Sequence, residues 1–303
     1  MIIFNKNLAT LSMLMTIPVS GFSYAAYDVN FYVYAHQDDN VLFMSKAMYE
    51  NITTKSFNDK KNIFVTLTAG DNNNGHDGGN GFIPFWKARS NGHFNALTYY
   101  ASLFPDKNNL IYEDYNLNIS GYDINRKSFV NPNVVFYEIK LPDIGQFNGV
   151  LKQLYNKNIE SVSSIDNINS FSKNELIAFL KDLLSLELVG LNNISSIETH
   201  STTITDNNNR HDDHVYSSVF LKDAISLWSN ENKGYCVRMN FYDDYVTADR
   251  NINIEDKPYL VQKGAWRLLN NALTQGGYPT TWDPHHNRWL GKRVYFINFK
   301  IFL

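Results

Sequence analysis

The stretch 29-VNFYVYAHQDDN-40 joins the plainest strand of this chain to its densest group of metal-ligating side chains. Its first half is rich in β-branched and aromatic residues and is too short for a helix of its own, which predicts a buried strand. Asn40 is a good helix N-cap, and apolar residues recur after it at helical spacing. One imidazole and two carboxylates therefore lie in a strand-to-helix turn, and in open α/β sheets such turns line the ligand crevice.

The rest of the chain alternates strand and helix patterns without internal repeats. Strands are predicted over Val29–Ala35, Asn62–Leu67, Val134–Leu141, Ser196–His200, Gly234–Phe241 and Arg293–Phe299. Helices are predicted over Asn40–Tyr49, Trp86–Leu103, Asp143–Asn156, Lys173–Leu186, His211–Trp228 and Lys257–Leu273. This order predicts an α/β fold, with a Rossmann-like, mostly parallel sheet covered by helices on both faces in a single domain.

The turn after the first strand has the residue types of a metal site. His36 and Asp39 are three residues apart, so a tight turn brings both to one cation while Asp38 points elsewhere. A catalytic zinc usually takes three protein ligands and leaves one position for water. The run His211-Asp212-Asp213-His214 offers the third ligand far downstream.

These two motifs resemble those of the PIG-L/LmbE-type zinc-dependent N-deacetylases, whose first motif reads A-H-P-D-D-E and whose later motif reads H-P-D-H. This chain has A-H-Q-D-D-N at positions 35–40 and H-D-D-H at positions 211–214, in the same order. Softer matches lie between them, at Val65–Asp71, Lys87–Ser90, Leu141–Asp143 and Ile197–His200. The resemblance covers roughly residues 28–220.

The resemblance implies a role for each matching residue. His36, Asp39 and His214 would bind Zn²⁺, and Fe²⁺ suits the same mixed nitrogen and oxygen ligands. Asp38 would be the general base, and a protonated His211 would assist the oxyanion or the leaving group. Two further residues, Arg89 and Asp143, would position the substrate.

Two residues depart from the family's first motif. Gln37 replaces proline, which removes a fixed φ from the turn, so other packing must hold the ligands. Asn40 replaces glutamate, which removes a negative charge beside the site. None of the implied ligands is missing, which favours an active enzyme with an altered substrate preference.

Other histidines and loops carry weaker signals. Gly75–Gly81 lacks the G-K-[ST] of a phosphate loop and is typical of a loop over the site. His76 and His93 are predicted as loop and helix-surface groups. His200 either lines the cleft or is a structural histidine, and Trp282–His286 either stacks on a sugar or covers the core.

The first 25 residues have the pattern of a secretory signal peptide, with an apolar run and a small-x-small site that ends at Ala25. Residues 26–303 would then form the deacetylase-like domain of a secreted or periplasmic protein, with no stable membrane anchor after signal removal. Cys236 is the only cysteine, which excludes an intramolecular disulfide. A net charge of −3 without a Lys/Arg block argues against a nucleic-acid partner.

The sequence thus predicts a metal-dependent hydrolase that removes an N-acetyl group from an N-acetylglucosamine-type sugar or glycan. The sugar follows from the resemblance alone. Two alternatives stay open, an N-acyl amidohydrolase acting on a non-sugar amine and a sugar-binding protein that keeps the metal for structure.

Overall fold

The computed structural model shows an eight-stranded sheet with helices on both faces. It describes residues 28–53, 60–72, 81–104, 110–130, 133–145, 148–189, 193–202, 210–232, 236–293 and 295–302. The predicted signal peptide lies outside these residues, as do His76 and all of the predicted Gly75–Gly81 loop except Gly81.

The strands of the main sheet follow the order β10-β9-β8-β1-β2-β5-β4-β3. They are β1 (Asp28–Tyr34), β2 (Lys60–Thr68), β3 (Tyr112–Ile119), β4 (Tyr122–Phe129), β5 (Val134–Leu141), β8 (Asn193–His200), β9 (Cys236–Tyr242) and β10 (Tyr295–Phe302). The five central strands, from β9 to β5, are parallel, while β10, β4 and β3 are added antiparallel at the edges. Strands β6 (Ser161–Ser163) and β7 (Ser170–Ser172) form a separate two-stranded ribbon. The predicted α/β, mostly parallel sheet is confirmed.

The helices divide between the two faces of the sheet. They are α1 (Asp39–Phe43), α2 (Ser45–Thr53), α3 (Phe85–Ser102), α4 (Val150–Tyr155), α5 (Lys173–Glu187), α6 (Asp212–Glu231), α7 (Asp256–Gln275) and α8 (Pro284–Asn287). Strand β1 is buried throughout and alternates its side chains: Phe31 and Val33 join the core under α4, α5 and α6, whereas Tyr32 and Tyr34 join the core under α1, α2, α3 and α7. Among the described residues, no helix is both long and apolar enough to cross a membrane.

Two predicted helices are wrong in extent. The helix over Asn40–Tyr49 is broken at Met44 into α1 and α2, and Asn40 is not its cap but lies inside α1. The helix over Asp143–Asn156 forms only as α4, so Asp143 lies in an irregular segment. That segment gives Asp143 a place at the edge of the sheet beside the predicted metal ligands.

The ribbon β3–β4 and the pair β6–β7 were not predicted. Most side chains of β3 are exposed, so this strand lacks the apolar run by which a buried strand is recognised. The pair β6–β7 has three residues in each strand, below the length that a sequence pattern reveals.

Candidate metal centre

The carboxyl ends of three neighbouring parallel strands converge on one group of side chains. His36 follows β1, His200 is the last residue of β8, and Asp244 follows β9. His211 is the N-cap of α6 and His214 lies in its first turn. Because parallel strands end at the same edge of a sheet, residues far apart in sequence meet here.

Three of these side chains place donor atoms at one point. His36 Nδ1 lies 3.0 Å from His214 Nε2, and His214 Nε2 lies 3.1 Å from Asp39 Oδ1. All three residues are buried, with at most 3% of their surface exposed. Zn–N bonds of about 2.0–2.1 Å put the donors of a tetrahedral site about 3.3 Å apart, close to these separations. The three predicted ligands are therefore together and correctly spaced for one ion.

Two further residues hold the donors in place. Asp244 Oδ2 lies 3.0 Å from His214 Nδ1, which leaves Nε2 of that ring free to face the cluster. His200 Nε2 lies 3.0 Å from Asp39 Oδ2, and its ring stacks on His214 with the centroids 4.2 Å apart. Carboxylate partners of this kind fix the orientation of a ligating histidine. The sequence pattern left the role of His200 undecided and did not identify Asp244 as a site residue.

A signal for Asp244 was nevertheless present in the sequence. Asp243 and Asp244 come shortly after the predicted strand Gly234–Phe241, as Asp38 and Asp39 come shortly after the predicted strand Val29–Ala35. The parallel sheet brings both acidic pairs to the same edge.

The electrostatics of the cluster favour a positive charge at His214. Burial alone would lower the pKa of this imidazole, but Asp39 and Asp244 outweigh burial and raise the pKa to about 10. Burial likewise opposes ionisation of Asp39, yet its imidazole neighbours, His214 first, hold the pKa of Asp39 well below its usual range. A divalent cation at this point would displace the proton of His214 and meet the same favourable field.

The residues present fit a catalytic zinc or iron ion. Without a metal, the proton on His214 Nε2 bridges to His36 Nδ1 at 3.0 Å, and a shared cation would take the place of that proton. His36 Nε2 is buried without a hydrogen-bond partner, although Asp143 Oδ2 lies 3.5 Å away. This arrangement suits a His36 that binds metal through Nδ1 and keeps its proton on Nε2 facing Asp143.

Among the residues that the structure describes, Asp38 belongs to none of the groups of side chains that could share a metal ion. Its side chain is 24% exposed and lines the adjoining cavity. Arg89, in the first turns of α3, forms an ion pair with Asp38 and also donates to Gly70 O over 3.3 Å. Arg89 thus lines the cavity and at the same time positions the predicted base.

Asp143 and His211 form the opposite side of the site. Asp143 Oδ1 lies 3.8 Å from His211 Nε2 and accepts a hydrogen bond from Gly145 N at 2.9 Å. His211 Nδ1 accepts from Asp213 N, so the ring proton is on Nε2 and points toward Asp143. Burial, followed by the charges of His36 and His214, lowers the pKa of His211 far below its usual range. The expectation of a protonated His211 is wrong, because the structure favours a neutral imidazole that donates through Nε2.

The two departures from the family motif are both buried and hydrogen-bonded. Gln37 Nε2 donates to Ala69 O at 2.9 Å, which ties the turn after β1 to the end of β2. Asn40 Nδ2 lies 3.3 Å from His93 Nε2, and Tyr34 OH lies 2.7 Å from the same atom. His93 is fully buried, so its prediction as a helix-surface group is wrong.

A cavity of about 490 Å³ opens beside the cluster. Its lining combines the predicted site residues His36, Asp38, Arg89, Asp143 and His211 with apolar and C-terminal side chains. His285, His286, Arg288 and Trp289 belong to the latter group. The segment whose role the sequence left open therefore forms part of the cavity wall.

Comparisons with known proteins give a likeness of fold only. No family model matches the chain, and no curated protein matches its sequence. The structure is similar to that of 4-carboxy-2-hydroxymuconate hydratase from Pseudomonas putida KT2440, with a TM-score of 0.43 and 11% identity over 86% of this chain and 81% of that one. It is also similar to N,N'-diacetylchitobiose deacetylase from Pyrococcus horikoshii, with a TM-score of 0.42 and 11% identity over 82% and 71% of the two chains. Likenesses of this size do not bear on the reaction, and membership of the deacetylase family stays a prediction.

Proposed function

We propose that this chain is a secreted or periplasmic, metal-dependent amidohydrolase that removes an N-acetyl group from an N-acetylglucosamine-type sugar or glycan. The observation that carries the proposal is the pairing of a buried ligand set, His36, Asp39 and His214, with a carboxylate outside that set. That carboxylate, Asp38, faces a cavity large enough for a small substrate. The acetyl group and the sugar come from the resemblance of the motifs, and the metal chemistry from the geometry.

A bound Zn²⁺ would lower the pKa of water and polarise the scissile carbonyl, and His36, Asp39 and His214 would hold it. Asp38 takes a proton from the attacking water, since it lines the cavity, lies outside the ligand set and directly precedes the predicted ligand Asp39. Asp143, the other carboxylate of the cavity, faces the imidazoles of His36 and His211 instead. The ion pair with Arg89 fixes the direction of the Asp38 side chain. General-base help of this kind is typically worth about 10²–10⁴-fold in rate.

His211 and Asp143 serve the other end of the reacting amide. The Nε2–H of neutral His211 lies 3.8 Å from Asp143 Oδ1, too far for a hydrogen bond, so it is available to donate to the developing oxyanion. Asp143 Oδ2 faces His36 Nε2 at 3.5 Å. Proton return to the departing amine falls to Asp38, which has just accepted one.

The test is amine release from a panel of N-acetylated sugars and non-sugar amines by chelated protein, before and after zinc is restored. Asp38→Asn is expected to retain one zinc per chain and to lose about 10²–10⁴-fold in kcat. Asp182→Asn is the matched control, because Asp182 has a similar side-chain exposure of 30%, also pairs with a cation, and lies on α5.

Each result of this experiment points to one reading. Zinc-dependent release that is lost in Asp38→Asn and kept in Asp182→Asn supports the hydrolase, and the panel then separates sugars from other amines. Full zinc occupancy without release from any amide would overturn the proposal in favour of a metal-containing binding protein.

A further inference from the structure

We propose that Arg288 and His285 form an anion-binding subsite in the cavity wall, so that the substrate is an N-acyl amine that also carries a carboxylate or phosphate group. The acyl amine rests on the proposed function. The anion rests on the charges and contacts of the cavity itself.

Arg288 is a cation of the cavity without a counter-charge. It is exposed, lines the cavity and, among the described residues, has no carboxylate within 4.0 Å. Two other basic groups of the wall are paired with carboxylates: Arg89 with Asp38, and His286 Nδ1 with Asp283 Oδ2 at 2.8 Å. A guanidinium left free in this way is the natural partner for an anionic group of the ligand.

The guanidinium is held in place before any ligand arrives. It lies 4.7 Å from the centroid of the Trp289 ring, and Trp289 is buried with its Nε1 donating to Tyr245 O at 3.1 Å. Stacking on a fixed ring restricts the side chain while its edge N–H groups stay available for a bidentate contact. Less side-chain freedom is then lost when the anion binds.

Helix α8, which carries His285, is anchored at both ends. Asp283 accepts the backbone N–H of His286 at 2.9 Å, and Asn287 Oδ1 accepts from Trp266 Nε1 at 2.9 Å. His285 is exposed and lines the cavity, and its ring centroid lies 5.8 Å from that of Trp289. It offers a second N–H donor next to Arg288.

A row of rings relates this subsite to the metal ligands. Ring centroids of His214 and Tyr245 are 5.1 Å apart, those of Tyr245 and Trp289 are 5.0 Å apart, and the Arg288 guanidinium follows at 4.7 Å. His36 and Arg288 line the same cavity, so a molecule bound there can place its amide near the cluster and its anion near Arg288.

The experiment measures binding and turnover separately. Isothermal titration of zinc-loaded Asp38→Asn protein compares N-acetylglucosamine with its phosphate monoester on the primary hydroxyl and with its uronic acid. The anionic sugars are expected to bind at least about tenfold more tightly than the neutral one, as charge-assisted hydrogen bonds would provide. The same background with Arg288→Gln is expected to lose this preference, and Arg288→Lys to recover part of it.

Arg267→Gln is the matched control, because Arg267 is also exposed and lies 5.9 Å from a tryptophan ring, that of Trp282, but does not line the cavity. The two anionic sugars distinguish phosphate from carboxylate. Equal affinity for neutral and anionic sugars, or a preference that survives Arg288→Gln, would overturn the anion subsite. Turnover by the protein with an intact Asp38 is the separate readout of the proposed function: Arg288-dependent binding without any turnover would refute the hydrolase and leave the subsite standing.

Discussion

Asp38 and Asp39 are neighbours in the sequence whose environments differ in every respect that matters for chemistry. Asp39 is 1% exposed and is held by the backbone N–H of His36 at 2.7 Å and by His200 Nε2 at 3.0 Å. Asp38 has a quarter of its side chain exposed to the cavity and pairs with Arg89. A buried, fixed carboxylate is suited to bind a metal, and an accessible one is suited to move protons, so the division of roles follows from position.

Asp244 is the residue whose loss tests how the cluster is built. Asp244→Asn keeps the shape of the side chain but removes the charge that orients His214 and stabilises positive charge at its Nε2. Zinc affinity is expected to fall about 10–100-fold while Asp38 and the cavity stay intact. Competition against a chelator of known affinity measures the change.

The control for this variant is Asp249→Asn, an exposed aspartate of the same segment. Equal zinc affinities of the wild type and both variants would show that Asp244 does not support the metal site.

At this scale the sequence predicts the residues that share a local motif. The three predicted ligands and the predicted base lie in two short motifs, where spacing and residue type carry the information. Asp244 and the state of His211 depend instead on which strands are neighbours and on how deeply the rings are buried. Those facts come from long-range packing, which spacing alone does not encode.

At the scale of elements, two strand-to-helix turns meet at Gly70. This residue has a φ of +56°, and a Cβ on it would lie 2.5 Å from Gln37 Oε1 and 2.9 Å from Arg89 Cζ. The turn after β1 and the start of α3 thus approach each other over a residue without a side chain. The ion pair of Arg89 with Asp38 depends on that close approach.

Gly70→Ala is therefore expected to lower both stability and activity. The backbone strain costs about 1–2 kcal/mol, and the new methyl group also displaces Arg89 or Gln37, which disturbs Asp38. We expect kcat to fall at least about tenfold, as loss of a positioning contact does. Thermal unfolding and amine release measure the two effects.

Gly121 provides the matched control in the hairpin between β3 and β4. Its φ is +94°, and a Cβ on it would meet nothing within 4 Å. Gly121→Ala should share the loss of stability and leave kcat unchanged. If the two variants lose activity equally, the close approach at Gly70 has no part in positioning Asp38.

The elements themselves were predictable where one face is buried. Central strands and α5, with its capping box between Ser172 and Glu175, follow their apolar patterns closely. The β3–β4 hairpin was not predicted, because its strands lie at the sheet edge and most side chains of β3 are in solvent. Its one local signal is the two-residue turn, where Ser120 and Gly121 both have positive φ. The irregular segment that holds Asp143 was predicted as helix, whereas in the structure Asp143 N donates to Asp71 Oδ1, a contact from outside the segment.

At the scale of the whole molecule, the cluster links stability to pH when no metal is bound. The pKa of His214 is raised from 6.5 to about 10, so its contribution is fully present below pH 6.5 and is lost as the pH rises through about 10. The pKa values of Asp39 and Asp244 are lowered, so their contribution is present above pH 3.8 and is lost as the pH falls through their folded values. The chelated protein should be most stable between these limits.

The chelated protein is accordingly expected to lose on the order of a few kcal/mol of unfolding free energy between pH 6.5 and pH 10. His214→Gln should remove most of this slope, whereas His286→Gln, a change at a partly exposed histidine paired with Asp283, should keep it.

Zinc should act in the opposite sense, because it competes with the proton of His214 and binds more tightly as the pH rises. The gap in unfolding temperature between zinc-loaded and chelated protein should therefore widen from pH 6.5 upward, as scanning calorimetry measures. A gap that is constant with pH, or a slope that persists in His214→Gln, would show that proton and metal do not share the site built by Asp39, His214 and Asp244.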